Sequence, residues 1–274
     1  MFLLYNTLMN QQALQQALGD LNLGEVQYYA RVDSTNRIAA EAASRGAPDF
    51  SVFIADEQTA GRGRKGRTWV TLPGTSLAVS VILRPEALDC AGVPLGRYSG
   101  LGALAGSRAL EDLYQLAPQL KWPNDILIKG KKIAGVLVEA QWMGDQLESL
   151  ILGLGMNLLE GSIPAGADFR FPAGSVADAA GNKVDRIAVL RMFLRRLQDL
   201  RSRIQGQGFL ADWEQRLAYR GKRVKLLVDG DLKAAGMVLG LDGEGGLRLA
   251  VSGGKTETFQ VGEIELRLVD RSSK

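Results

Sequence analysis

Apolar residues recur along this chain at two spacings, and their alternation outlines a fold. Ala13, Leu14, Ala17 and Leu18 fall three and four apart, which predicts a short helix over 11–18 capped by Asn10. A strand then runs from Val26 into Asp33-Ser34-Thr35-Asn36, and Ile38, Ala39, Ala42 and Ala43 mark a helix that Gly46 stops. SVFIAD at 51–56 reads as a buried strand, and 69–83 offers a turn and a second strand. Helical spacing returns over 97–116, where Gly100, Gly102 and Gly106 suit close helix packing. Ile126–Ile128 and 133–141 form a hairpin with a basic tip at Lys129-Gly130-Lys131, and LESLILGLGMN is a further strand ending in Asn157.

The second half changes character twice. Gly and Pro between 161 and 174 mark a surface loop, and Asp185 then caps a long helix with Ile187, Leu190, Leu194, Leu197 and Ile204 on its buried stripe. Arg191, Arg195, Arg196 and Arg201 are expected elsewhere on its surface, as a solvated face rather than a nucleic-acid stripe. A short helix follows around Trp213. From Gly221 the pattern becomes short strands with Asp-Gly and Gly-Gly turns, which predicts a small β-barrel over 222–270. The expected class is α+β: a mixed sheet packed with helices, plus that C-terminal barrel.

The stretch GRGRKGRTW at 61–69 carries the clearest chemistry. Gly61, Gly63 and Gly66 free the backbone for positive φ, while Arg62, Arg64, Lys65 and Arg67 concentrate positive charge, so the loop suits an anion. It matches GxGxxG and nearly matches the phosphate-loop pattern, but both need a helix after the glycines, and a strand follows here. What survives is a basic, anion-clamping loop between two strands. One capping side chain suffices for a helix, so the rest of Asp33-Ser34-Thr35-Asn36 is free to meet a ligand. Pro123 in LKWPND breaks the start of a strand and holds Asn124 and Asp125 in a rigid bend, with Lys132 where the returning strand begins. Gly153 and Gly155 leave room for a flat ligand ahead of Asn157.

Composition narrows the chemistry. The chain has 274 residues, 46% hydrophobic and 23% charged, enough for one large domain and a small one. A formal charge of +3 does not by itself argue for nucleic acid. The single cysteine, Cys90, excludes an intrachain disulfide and suits a reducing compartment. Histidine is absent, which removes imidazole-based triads and the usual zinc sites and leaves carboxylates, lysines and arginines. No Lys or Arg precedes Arg31 and no run is long enough to span a membrane, so a cytoplasmic protein is expected.

Asp33-Ser34-Thr35-Asn36, GRGRKGRTW, KWPND, GKKIAG and GLGMN, in that order, resemble the biotin protein ligase family from Val26 to about the chain end. The resemblance implies a class II synthetase-like catalytic domain over 26–220 after a short extension at 1–25, and an SH3-like domain over 221–274. It also implies activation of biotin by ATP to biotinyl-5′-adenylate, then transfer to a lysine of a biotin carboxyl carrier protein. By position it assigns Ser34, Thr35, Asn36, Gln58, Arg62, Gly63, Arg64 and Lys132 to biotin. Arg67, Trp69, Asn124 and Asn157 fall to ATP or the adenylate, with Lys132, Arg64 and Asp125 catalytic. Asp125 is the candidate for Mg²⁺, which prefers one or two carboxylates plus phosphate oxygens. The loop is expected to open without ligand and to close over the adenylate. The alternatives are a lipoate-ligase-like acyl ligase and a ligand-sensing binding module; against the latter, the segment before Val26 is too short for a DNA-binding domain. No nucleic-acid or membrane partner is expected, and either a monomer or a homodimer fits.

Overall fold

The computed structural model describes residues 9–84, 92–166, 171–181, 183–228 and 230–260, with the backbone of Ile264–Leu268; Cys90 lies outside these residues. Seven strands form the main sheet in the order β1-β2-β3-β7-β6-β5-β4. They are β1 (Val26–Val32), β2 (Val52–Gln58), β3 (Ser76–Leu83), β4 (Gln119–Lys121), β5 (Asp125–Ile128), β6 (Lys131–Met143) and β7 (Gln146–Asn157). β1 and β2 are parallel and joined by helix α2 (Thr35–Ser44), while the other neighbours are antiparallel. The β5–β6 hairpin turns where expected, with Lys129 and Gly130 both left-handed (φ 48° and 76°), the two-residue tip that matches strand twist.

Each face of the sheet has its own cover. On one face lie α1 (Gln11–Leu18), α3 (Leu95–Tyr114) and α5 (Arg186–Arg201), against Val52, Ile54, Val79, Leu152 and Leu154 in the large core; the short helix α4 (Val176–Ala180) precedes α5 in the chain. On the other, α2 packs against Phe53, Ile82 and Ile151 of β2, β3 and β7. The glycines of α3 serve packing as expected: a Cβ at Gly102 would come 2.9 Å from Val136, and one at Gly106 2.7 Å from Ile126. Side chains buried this fully contribute about 1.5–3 kcal/mol each through area removed from water.

The basic face expected on α5 is instead a set of ion pairs. Arg191 binds Asp20, Arg196 binds Asp112 at 2.6 Å, and Arg201, only 2% exposed, binds Asp49 at 2.7 Å. Carboxylates far away in sequence pair with three of the four arginines, which periodicity could not reveal, while Arg195 is exposed as expected. The helix also ends at Arg201, so Ile204 is buried from beyond it and Ile187 is only half-buried.

Beyond α6 (Gln207–Gln215), five antiparallel strands follow: β8 (Arg223–Val228), β9 (Asp231–Leu241), β10 (Leu247–Ala250), β11 (Thr256–Phe259) and β12 (Ile264–Leu268). Their order is β11-β10-β9-β8-β12. The β9–β10 turn is organised by Asp242, whose Oδ1 accepts from the backbone of Glu244 and Gly246. That turn docks on the main sheet's support: Trp122 Nε1 donates to the Gly245 carbonyl at 2.9 Å, and Arg97 Nη1 donates to the Ile204 carbonyl at 2.7 Å while its Nε reaches Gly243. No helix among the described residues is long and apolar enough to cross a membrane.

Candidate active site

A row of small residues crosses the sheet face on which α2 packs. Ala55 pairs with Ala78, Ala78 with Gly155, Gly155 with Gly135, and Gly135 with Asp125. Side chains alternate faces along a strand, so this register leaves a trough rather than a wall. A cavity of about 490 Å³ opens there, and every residue that the resemblance assigned to biotin, the nucleotide or catalysis lines it: Ser34, Thr35, Asn36, Gln58, Arg62, Gly63, Arg64, Arg67, Trp69, Asn124, Asp125, Lys132 and Asn157.

The basic loop roofs the cavity. Its stem is bridged at Gln58–Thr71 and Arg62–Thr68, and its tip turns at Lys65 and Gly66 (φ 61° and 68°). Of the loop's three glycines Gly66 takes a positive φ; Gly63 is extended at −117°, and Gly61 is needed because a Cβ there would collide with the Trp69 carbonyl. No helix follows, which agrees with rejecting the nucleotide fingerprints. The conformation is folded in over the cavity, with Arg62 paired to Glu139 at 3.1 Å and Arg64 Nη1 within 3.5 Å of Asn124 Oδ1.

The trough is filled differently from expectation. A Cβ at Gly155 would overlap the Trp69 indole, and one at Gly153 would overlap the Asn36 amide. At these two glycines the close approach is made by the protein's own side chains, contributed by the loop and by α2. Trp69 Nε1 is buried there without a hydrogen-bond partner. Ser34 does sit at the N-cap of α2, yet its side chain makes no capping bond. Thr35 and Asn36 turn inward instead: Thr35 N–H donates to Gln58 Oε1 at 2.8 Å, and Ser80 Oγ lies 2.6 Å from Asn36 Oδ1.

At the opposite end three charged groups converge. Asp125 is buried, with Oδ1 2.6 Å from Lys132 Nζ and Oδ2 3.5 Å from Lys121 Nζ. Gly135 makes the first contact possible, since a Cβ there would stand 3.2 Å from Lys132 Nζ. The backbone of Lys132 is clamped by Pro172 and Gly174, and its ammonium lies 5.5 Å from the centroid of Trp69. Asn124 secures the bend through Nδ2, which donates to the Val136 carbonyl at 2.7 Å, and Asn157 Nδ2 donates to Gly174. Lys121, which takes a cation–π position 5.0 Å from Phe171, was not singled out in the sequence, although it stands at the head of KWPND.

Burial pushes the Asp125 carboxyl up, but Lys132 and Lys121 outweigh it and hold the group below the ordinary carboxylate range. A folded pKa beneath the unfolded value of about 3.9 means that its stabilisation is present above that pH and is lost as pH falls through the folded value. Asp125→Asn is therefore expected to lower stability at neutrality and to flatten the acid limb of the curve. Urea midpoints across that range check this, and an unchanged acid slope would refute it.

The same geometry tests a metal. Both Asp125 oxygens face ammonium groups, and no cluster of three or more His, Cys, Asp or Glu able to hold a metal occurs among the described residues. Asp125 is the single carboxylate among the cavity's lining residues, so a Mg²⁺ here would be held by it together with phosphate oxygens rather than by a protein cage.

Comparison with known proteins agrees with the sequence resemblance. Residues 28–157 match the model of the biotin/lipoate A/B protein ligase family, and residues 220–267 match the biotin protein ligase C-terminal domain. A bifunctional ligase/repressor, BirA, from Bacillus subtilis is 32% identical over 246 residues, spanning 87% of this chain and 73% of the relative. A biotin–[acetyl-CoA-carboxylase] ligase from Paracoccus denitrificans is 33% identical over 82% of this chain and 94% of its own. Among solved structures, a biotin protein ligase from Aquifex aeolicus in complex with biotin and ATP superposes with a TM-score of 0.76, at 29% identity over 89% of this chain and 99% of that one.

Proposed function

Because this chain belongs to the biotin protein ligase family, we infer that it joins biotin to ATP as biotinyl-5′-adenylate and then passes the biotinyl group to a lysine of a biotin carboxyl carrier domain. The observation that carries this reading is the division of one cavity into two chemistries. The Thr35–Gln58 end offers hydrogen-bond donors and acceptors of the kind a ureido ring requires, and the Lys132–Asp125–Lys121 end, beside which Arg64 reaches Asn124, offers concentrated positive charge.

The first step brings a carboxylate oxygen against an α-phosphate. The new O–P bond forms as the bond to the β-phosphate breaks, and pyrophosphate leaves. Two anions repel, so the residues must supply preorganised cations. Lys132 is the candidate to bridge the carboxylate and the α-phosphate, and Arg62, Arg64 and Arg67 supply charge from the roof. Asp125 is assigned to hold both lysines in place, with Mg²⁺ carried in on the ATP phosphates. Trp69 offers an aromatic face and Asn157 a polar edge to the adenine. In the second step the acceptor amine attacks the anhydride carbonyl and AMP departs, so no protein nucleophile is required, in keeping with the absence of histidine. The same reading divides the chain near residue 220.

Pyrophosphate release from ATP with biotin, lipoate or octanoate as the only added acid tests the reading. Release specific to biotin is expected. Release with lipoate or octanoate and none with biotin would overturn the substrate and retain the adenylating chemistry.

A further inference from the structure

The polar end of the cavity belongs to a chain of side-chain hydrogen bonds that begins and ends on the loop above it. Gln58 Nε2 donates to Thr71 Oγ1 at 3.2 Å across the loop's stem. Gln58 Oε1 accepts from the Thr35 backbone N–H at 2.8 Å, and Ser80 Oγ donates to Asn36 Oδ1 at 2.6 Å while lying 2.8 Å from Thr35 Oγ1. Asn36 Nδ2 then donates to Glu139 Oε2 at 2.6 Å, and Glu139 Oε1 receives the Arg62 guanidinium at 3.1 Å, back on the loop. Glu139 is in β6, two and four residues on from Leu137 and Gly135 and on the same sheet face, so it stands at the cavity's rim. Both of its oxygens are engaged, one by a buried amide and one by the roof. No sequence pattern singled it out.

We propose that Glu139 is a positioning residue that ties Arg62 of the roof to Asn36 at the polar end, so that closing the roof and ordering the ring-binding side chains are one event. The role rests on the ligase reading, because the retained molecule is the adenylate. An exposed Arg–Glu pair is weak by itself, and Arg62 is 46% exposed. What gives this pair direction is the anchored half: Asn36 is buried and seated over Gly153, so Glu139 presents a fixed carboxylate to the loop.

Glu139→Gln isolates the function. The amide oxygen still accepts from Asn36, but the neutral group no longer holds the guanidinium. Two readouts decide the matter: the release rate of preformed biotinyl-adenylate without acceptor, and hydrogen exchange of the amides at 62–68 without any ligand. Adenylate is expected to leave about fivefold faster, the scale of one exposed ion pair, while the first-turnover pyrophosphate burst stays at its wild-type size. Amides of the roof should exchange faster in the same proportion. Arg62→Gln should speed both at least as much, because it also removes a charge from the roof, and adding Glu139→Gln to it should change nothing further, since Glu139 acts through that guanidinium. Wild-type release and wild-type exchange in Glu139→Gln, or effects that simply add, would overturn the proposal. A melting temperature lowered with both rates unmoved would mean that Glu139 only stabilises the fold. If the wild-type protein forms no adenylate from biotin, the ligase reading fails, and ligand-free exchange still decides whether Glu139 holds the roof.

Discussion

Lys132→Ala is expected to reduce kcat/KM for biotin-dependent pyrophosphate formation by at least about a hundredfold, the usual consequence of deleting one preorganised charge at a site where negative charge accumulates. The loss has a second component. Asp125 is buried and shared between two ammoniums, so removing Lys132 leaves its carboxylate facing Lys121 alone at 3.5 Å. A buried carboxylate short of a partner destabilises the fold, and the melting temperature should fall at neutral pH. The double variant Lys132→Ala/Asp125→Asn separates the two effects. With the carboxylate gone there is no charge to strand, so stability should return toward that of Asp125→Asn while activity stays low. Recovery of activity along with stability would show that Lys132 is only a structural counter-ion.

Gly155→Ala is expected to cost about tenfold to a hundredfold in kcat/KM with the fold retained, the scale on which small misplacements of positioning groups act. The added methyl would occupy the space of the Trp69 indole. The sheet cannot yield there, because Gly155 is paired on both sides, to Ala78 and to Gly135. The indole must lift, and since the Trp69 backbone N–H donates to the Gly61 carbonyl at 2.8 Å, the roof lifts with it. Steady-state kinetics and thermal melts on the same preparation check this. Normal kinetics would mean that Trp69 packs in the trough without serving the reaction.

Both predictions turn on particulars that the sequence shows unevenly. The helices and strands were legible because their apolar residues repeat at the periods of the elements themselves. The Lys129-Gly130 tip and the Asp185 cap were legible because a specific backbone geometry needs specific residue types. The candidate residues were legible as separate motifs in order. Their grouping around one cavity was not, because Asn36 and Glu139 stand 103 residues apart and no local pattern couples them. The glycines misled for a related reason. A glycine states that something approaches closely without saying what, and the occupants proved to be Trp69 and Asn36. Likewise, charge on one helix face reads as solvated until the opposing carboxylates are known, and Arg201 proved to be buried beside Asp49.

The sequence alone thus determined what is local: element types, their breaks, a basic glycine-bearing loop, and a residue inventory that excludes imidazole chemistry. The tertiary structure alone decided what is relational: which carboxylate holds Lys132, which side chains fill the glycine trough, and how the roof is tied to the polar floor. The reason is physical. Backbone propensity acts over a few residues, whereas hydrogen bonds and ion pairs act over a few ångströms of space, and only the strand register brings Asp125, Gly135 and Gly155 into one row.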